Sequence, residues 1–350
     1  MESPYSVARA DLETSQAQVE RLWAQGLDGL VDETAKAKFR RFYVDNPAGR
    51  GDCMLLFAGA QSEPVGVQGF VPRRFWMGER ETIAAVMADF VVVPAHRSLG
   101  PALKLMRTGI ELGKARFSFS YGTPNEKSLA IVRRAGLETI GVFTRYTKVL
   151  RSESYWRRRI PSWLTPVAAA LVDLGILAVD LGRGWLRGNP FHWAERVDFG
   201  VEFDRIWQMR SVHRVYGDRS CGTLAWRYPA GSGQGAWRIS LASSAGGDVL
   251  GYVVWRLRNG TVMVNDFLVV ESGASQRTFL HSFSQYVRRF AVDRVSVEFY
   301  GASDVVEALR DCGFAPREQS SIVRASQQGG DVSLSQASAY MTSFDRDNDE

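Results

Sequence analysis

Arg97, Gly100 and Ala102 stand in the order Arg97-Ser98-Leu99-Gly100-Pro101-Ala102, directly after the run Asp89-Phe90-Val91-Val92-Val93-Pro94. That spacing can hold an anion. The β-branched run has strand length and turns at Pro94. Leu99, Leu103, Met106 and Ile110 then recur on one face of a helix. A strand, a short glycine-containing loop and a helix start leave backbone N–H groups unpaired, at the positive end of the helix dipole. Gly100 lets a bound group approach the backbone, and small Ala102 keeps the helix start uncluttered. Arg97, Lys104 and Arg107 add positive charge beside the loop. An ordinary strand–turn–helix corner shares the six-residue pattern, so its position after the valine-rich strand carries the reading.

Arg97-x-x-Gly100-x-Ala102 resembles the Arg/Gln-x-x-Gly-x-Gly/Ala loop of the GNAT acetyltransferases. The resemblance implies acetyl-CoA, or another acyl-CoA, as cofactor. Its pyrophosphate would lie on Arg97, Ser98, Leu99, Gly100, Pro101 and Ala102. The backbone of Val91, Val92 and Val93 would pair with pantetheine and polarise the thioester carbonyl. The stretch Gly122-Thr-Pro-Asn125-Glu-Lys-Ser128 to Gly136-Leu137 is similar to the second GNAT signature. There Asn125 is placed to cap a helix and Gly136 to close it in a left-handed conformation. The resemblance gives this segment, with Asn125 and Ser128, to the pantetheine arm. Many members carry a tyrosine four residues before that glycine, which protonates the departing thiolate. Here the position is Val132, which has no proton to give. Tyr121 or a water would have to serve.

For the general base, Asp89 is the best-placed carboxylate and Glu81 the second. His96 lies at the loop mouth, and the few histidines form no cluster, so no metal is expected. Pro72 to Glu79 is expected as a loop, in which Arg73, Arg74, Phe75 and Trp76 could hold an anionic or sugar-like substrate. A longer solvent-exposed hairpin is the plainer reading of the same residues.

Those residues must be positioned by a fold that the sequence states twice. Asp89-Phe-Val-Val-Val matches Asp266-Phe-Leu-Val-Val, and Ala135-Gly136-Leu137 matches Cys312-Gly313-Phe314, both at a separation of 177 residues. Gly66 before Phe70 has a counterpart in Gly251, and Phe39 to Tyr43 resembles Leu224 to Tyr228. The expected fold class is therefore α/β (α+β): two GNAT-like acyl-CoA N-acyltransferase domains, each a mixed, mostly antiparallel sheet flanked by helices. The copies differ at the loop, where Ala274, Arg277 and Phe279 replace Arg97, Gly100 and Ala102, and Leu309 stands at the tyrosine position. Bulk at those places should keep a pyrophosphate out of the second copy. Because Asp266 persists there, the repeat also argues for a structural task for Asp89.

The expected domains are 1–150 with the cofactor, an apolar helical connector 151–199, a degenerate copy 200–324 and a disordered tail 325–350. Residues 6–46 read as helical, and Tyr340 and Met341 are candidates to dock locally. The 45% hydrophobic and 23% charged residues fit a soluble globular chain. Three scattered cysteines and an N-terminus without an apolar core point to a reducing, cytoplasmic setting. The net charge of +5 is not organised as a nucleic-acid module. The acceptor is expected to be a small-molecule amine or amino sugar. In the connector, Asp173 and Asp180 share a helix face and disfavour a membrane span. A helix packed on the domains competes with a membrane-surface contact through 156–187, supported by Arg157–Arg159, Arg183, Arg187 and three tryptophans. A non-catalytic acyl-CoA sensor or scaffold, in cell-envelope polysaccharide assembly for example, is the rival function.

Overall fold

The computed structural model describes residues 4–27, 31–59, 62–156, 161, 163–185, 191–229, 237–270, 276–325 and 334–347. The chain divides into two compact units. One comprises residues 1–142, 320–335 and 346–350, and the other 143–319 and 336–345.

The first unit opens with a strand, β1 (Tyr5–Arg9), where the sequence predicts only helix. It pairs antiparallel with β2 (Asp52–Ala58). Five residues are too few for period-two alternation to stand out beside the helical stripes that follow. α1 (Gln16–Gly26) buries Val19, Leu22 and Trp23. α2 (Asp32–Phe39) runs into a π-helical turn, Arg40–Val44, that buries Phe42 and Tyr43. Trp23, Phe39 and Tyr43 pack ring against ring.

β3 (Pro64–Met77) and β4 (Arg80–Val92) form one long hairpin, closed at Gly78 with φ +60°. The expected loop at Pro72–Glu79 is therefore mostly strand. Alternation sends Arg73 and Phe75 inward, both buried, while Arg74 and Trp76 take the other face. Next come α3 (Leu99–Arg116), β5 (Ser120–Gly122) and α4 (Glu126–Arg134). The sheet runs β1-β2-β3-β4-β5 and is completed by the end of β13 (Ala315–Ala325). There Val323 to Ala325 pair with Gly122 to Ser120.

The second unit repeats the order. α4 and α10 (Ser303–Asp311) start and end 177 residues apart, and each is closed by a left-handed glycine, Gly136 at φ +91° and Gly313 at φ +86°. The unit contains β6 (Glu138–Val149), β7 (His192–Arg196), β8 (Val215–Gly217), β9 (Arg238–Ser243), β10 (Val249–Arg258), β11 (Thr261–Val269) and β12 (Arg294–Gly301). Its sheet runs β6-β12-β11-β10-β9-β7. The β10–β11 hairpin has strands of 10 and 9 residues against 14 and 13 in β3–β4. The eight extra residues of the first copy are thus four added to each strand.

Each unit takes its last strand from the other half of the sequence. β6 ends in the second unit, with Val149 to Thr144 paired to Arg294 to Phe299 of β12, while β13 ends beside β5. The compact units therefore part at residue 142 rather than 150, and the first regains residues 320–335.

The connector contains α6 (Thr165–Trp185), and both of its acidic residues have partners within the second unit. Asp173 accepts from the Ser152 N–H at 2.6 Å. Asp180 pairs with Lys148 Nζ at 3.0 Å and Arg288 Nη2 at 2.6 Å, all but Arg288 deeply buried. Among the described residues no helix is long and apolar enough to cross a membrane. Arg157–Arg159 and Arg187 lie outside the described residues.

The tail 325–350 is not disordered throughout. β14 (Ala339–Thr342) and a helical turn, Ser343–Asp345, bury Tyr340, Met341, Phe344 and Asp345. The surrounding Ser, Gln and Gly masked a short apolar island. Residues 326–333 and 348–350 lie outside the described residues.

Candidate functional site

The anion loop folds as a tight corner. A 3-10 turn, Pro94–His96, leads to Ser98 at the N-cap, and α3 begins at Leu99 rather than Ala102. Gly100 and Pro101 therefore lie in the first helical turn. Leu99 and Gly100 have amides that no residue of α3 can satisfy, and Pro101 has none. A Cβ on Gly100 would meet nothing within 4 Å, so the space outside that backbone is open. Ala102 is buried under it in the core with Val92 and Leu105. The Arg97 Nε donates back to the Val92 carbonyl at 3.1 Å, and Arg107 Nη2 donates to the Arg134 carbonyl at 2.8 Å. Both guanidiniums thus stay near the helix start. His96 Nδ1 lies 2.9 Å from the Tyr5 hydroxyl.

β4 supplies the second element. It pairs in parallel with β5 only at Ala85–Ser120 and Val86–Tyr121. Beyond Val86 the two strands part, leaving the last residues of β4 open on that side. Val93 N–H donates to the Val65 carbonyl of β3 at 2.9 Å. Strand alternation then turns the backbone groups of Val92 and Phe90 to the open side, and those of Val91 to β3. Of the three valines, Val92 presents its backbone to the cleft. Met87, Phe90, Leu129 and Ile131 are half-buried around the cluster of Met106, Ile110 and Val132. They form an apolar lining between α3 and α4.

The register between β3 and β4 slips beside Val67 and Gly69, and Asp89 sits in the slip with φ +54°. A non-glycine residue there needs support. Both of its carboxylate oxygens are held: Lys38 Nζ lies 2.7 Å from Oδ1, and the Tyr43 hydroxyl donates to Oδ2 at 2.6 Å. Gly69 makes room, since a Cβ there would meet the Tyr43 hydroxyl. Thr123, just past β5, donates to Asp347 Oδ1 at 3.0 Å. Burial and the charge of Asp89 push the Asp347 carboxyl up, against Thr123, Arg346 and Lys38.

The other predicted residues scatter. Glu81 is exposed at the far end of the hairpin and pairs with Arg74 Nε at 2.9 Å. Tyr121 is fully buried, its ring edge-on to Phe75. Phe75 itself is core, and Arg73 packs 5.9 Å from the Phe42 ring. Asn125 caps α4, its Oδ1 accepting from Ser128 N–H at 2.9 Å, and Ser128 Oγ donates to the same oxygen. Lys38, Tyr43, Thr123 and Asp347 were not singled out by the sequence. Tyr43 alone gave a signal, as one of the apolar residues of a helix stripe.

No family model matches the chain, and no curated protein matches it. Solved structures do. A GCN5-related N-acetyltransferase from Anabaena variabilis superposes with a TM-score of 0.63 at 14% identity, covering 91% of this chain and 72% of that one. One from Kribbella flavida gives 0.59 at 16% identity, covering 92% and 71%. A tandem GNAT protein from the clavulanic acid biosynthesis pathway gives 0.51 at 14% identity, covering 92% of this chain and 98% of that one. The chain has a tandem GNAT fold.

In the second GNAT unit the same features are rebuilt as core. Asp266, the counterpart of Asp89, is fully buried and binds Arg219 Nε at 3.1 Å, the Tyr252 hydroxyl at 2.7 Å and the Thr342 hydroxyl at 2.6 Å. Both GNAT units thus fasten this aspartate to a cation and a tyrosine. Phe279, at the Ala102 position, is fully buried against Phe191 and Trp193. Arg277, at the Gly100 position, pairs with Asp311 at 2.8 Å. Ala274 lies outside the described residues.

Proposed function

We propose that the first unit binds an acyl-CoA and that the chain is an N-acyltransferase acting on an amine of a small molecule or sugar. The observation that carries this is the parting of β4 from β5 directly beside the open first turn of α3. An acyl-CoA offers an anionic end, an extended arm with amides and a thioester-activated acyl group. The Leu99 and Gly100 amides, with Arg97 nearby, would receive the phosphates. The backbone of Phe90 and Val92 would receive the arm, and Met87, Phe90 and Ile131 would exclude water from the reacting end.

Asp89, with both oxygens engaged, serves to hold the bulge and the direction of the Phe90 backbone. The proton of the acceptor ammonium falls to Asp347, a half-buried carboxylate with raised proton affinity beside the strand ends. Val132 is buried in the apolar lining and gives the departing thiolate no proton. The test is release of CoA thiol from acetyl-CoA with a panel of primary amines and amino sugars. Turnover with one amine class, lost in Asp347→Asn, supports the reading. No turnover with any of them, by a chain that does bind acetyl-CoA, favours the sensor instead.

A further inference from the structure

The second unit parts its strands as the first does. β11 pairs with β12 in parallel from Thr261–Arg294 to Val264–Val297 and no further. Here a third strand continues along β12. β14 pairs antiparallel with it, Phe299 to Thr342, Tyr300 to Met341 and Gly301 to Tyr340. Phe299 also pairs with Thr144 of β6, so β14 lies on the opposite edge, the one that β11 has left.

β14 is fastened to both walls. The Tyr340 hydroxyl donates to the Phe267 carbonyl at 2.7 Å, and Thr342 Oγ1 donates to Asp266 Oδ1 at 2.6 Å. Phe267 lies 177 residues after Phe90, so this is the carbonyl whose counterpart faces the open cleft of the first unit. Arg219, fully buried, ties the segment below. Its Nη2 donates to Asp345 Oδ2 at 2.7 Å while its Nε holds Asp266. Ala302 N–H donates to the Ala339 carbonyl at 3.0 Å. Gly301 permits this approach with φ +153°, because a Cβ there would meet that same carbonyl. The first unit has Pro124 at the matching position, which can neither take that φ nor donate an N–H.

We propose that residues 339–345 are the resident ligand of the second unit's cleft, an intramolecular strand in the place that the first unit offers to an acyl-CoA arm. The second unit then takes no acyl-CoA, and the chain carries one acyl-CoA site. The comparison of the two clefts rests on the function proposed above, but the seating of the strand does not.

The test is hydrogen exchange on the full chain without acyl-CoA, comparing wild type with Tyr340→Phe and Thr342→Val. Tyr340→Phe keeps the ring in the core and removes only the bond to Phe267, so the chain should fold. The Ala302 amide should be protected in wild type and exchange at least tenfold faster in the variants, with Val253 of β10 unchanged. A wild-type Ala302 amide exchanging like an exposed loop would overturn the proposal, as would equal protection in all three proteins. Calorimetry with acetyl-CoA gives a separate reading. Two molecules bound per chain contradict closure of the second cleft. One agrees with it. None agrees with it too, while removing the acyltransferase reading.

Discussion

Lys38 and Asp89 meet where little water reaches either charge, and Tyr43 takes the remaining oxygen. Removing one partner of such a pair leaves the other charge buried and alone, which costs about 3–5 kcal/mol. Lys38→Met is expected to lower unfolding stability by about 3 kcal/mol in urea titrations. Asp347→Asn is expected to leave stability within about 0.5 kcal/mol and to act on turnover instead. Because burial and Asp89 raise the Asp347 pKa, wild-type activity should fall as pH drops through that raised value. In Asp347→Asn that acid limb should disappear from the kcat/KM profile. The sequence offered Asp89 and the loop residues because they stand next to one another in the chain. Lys38 and Asp347 are 51 and 258 residues from Asp89, and no local pattern joins them.

Elements show the same division between local and distant information. The cap of α4 was legible, since an asparagine two residues past a strand and a glycine ten residues on are local signals. Asn125→Ala should cost about 1 kcal/mol, measured by thermal unfolding. The hairpin was misjudged because Pro72-Arg73-Arg74 reads as a loop, whereas its alternation places Arg73 beneath the Phe42 ring. α6 read as an apolar run with two acidic residues, and its partners Lys148 and Arg288 fix its meaning. Burial alone would raise the Asp180 carboxyl, but Lys148 and Arg288 hold it below the ordinary aspartate range. Its contribution is therefore present above the unfolded pKa of about 3.9 and lost as pH falls through the lower folded value. Wild type should lose stability more steeply on acidification below about pH 4 than Asp180→Asn.

At the scale of the molecule, the repeat at 177 residues predicted two like units and both are present. Which unit each final strand joins was not legible. An alternating run declares a strand, but β6 and β13 carry the same alternation and each could complete either sheet. The consequence is that residues 1–150 made alone lack the strand that covers β5. That fragment should show no cooperative thermal transition, while co-expression with 151–350 should restore one. A sharp transition from the fragment alone would contradict the exchange of strands.

The most direct measurement of the central claim is calorimetry of acetyl-CoA with wild type and Gly100→Arg. The substitution meets nothing within 4 Å, so thermal unfolding should be unchanged. Wild type should bind one acetyl-CoA per chain, and Gly100→Arg should bind none. Binding that survives in Gly100→Arg, or no binding to wild type, would contradict the account.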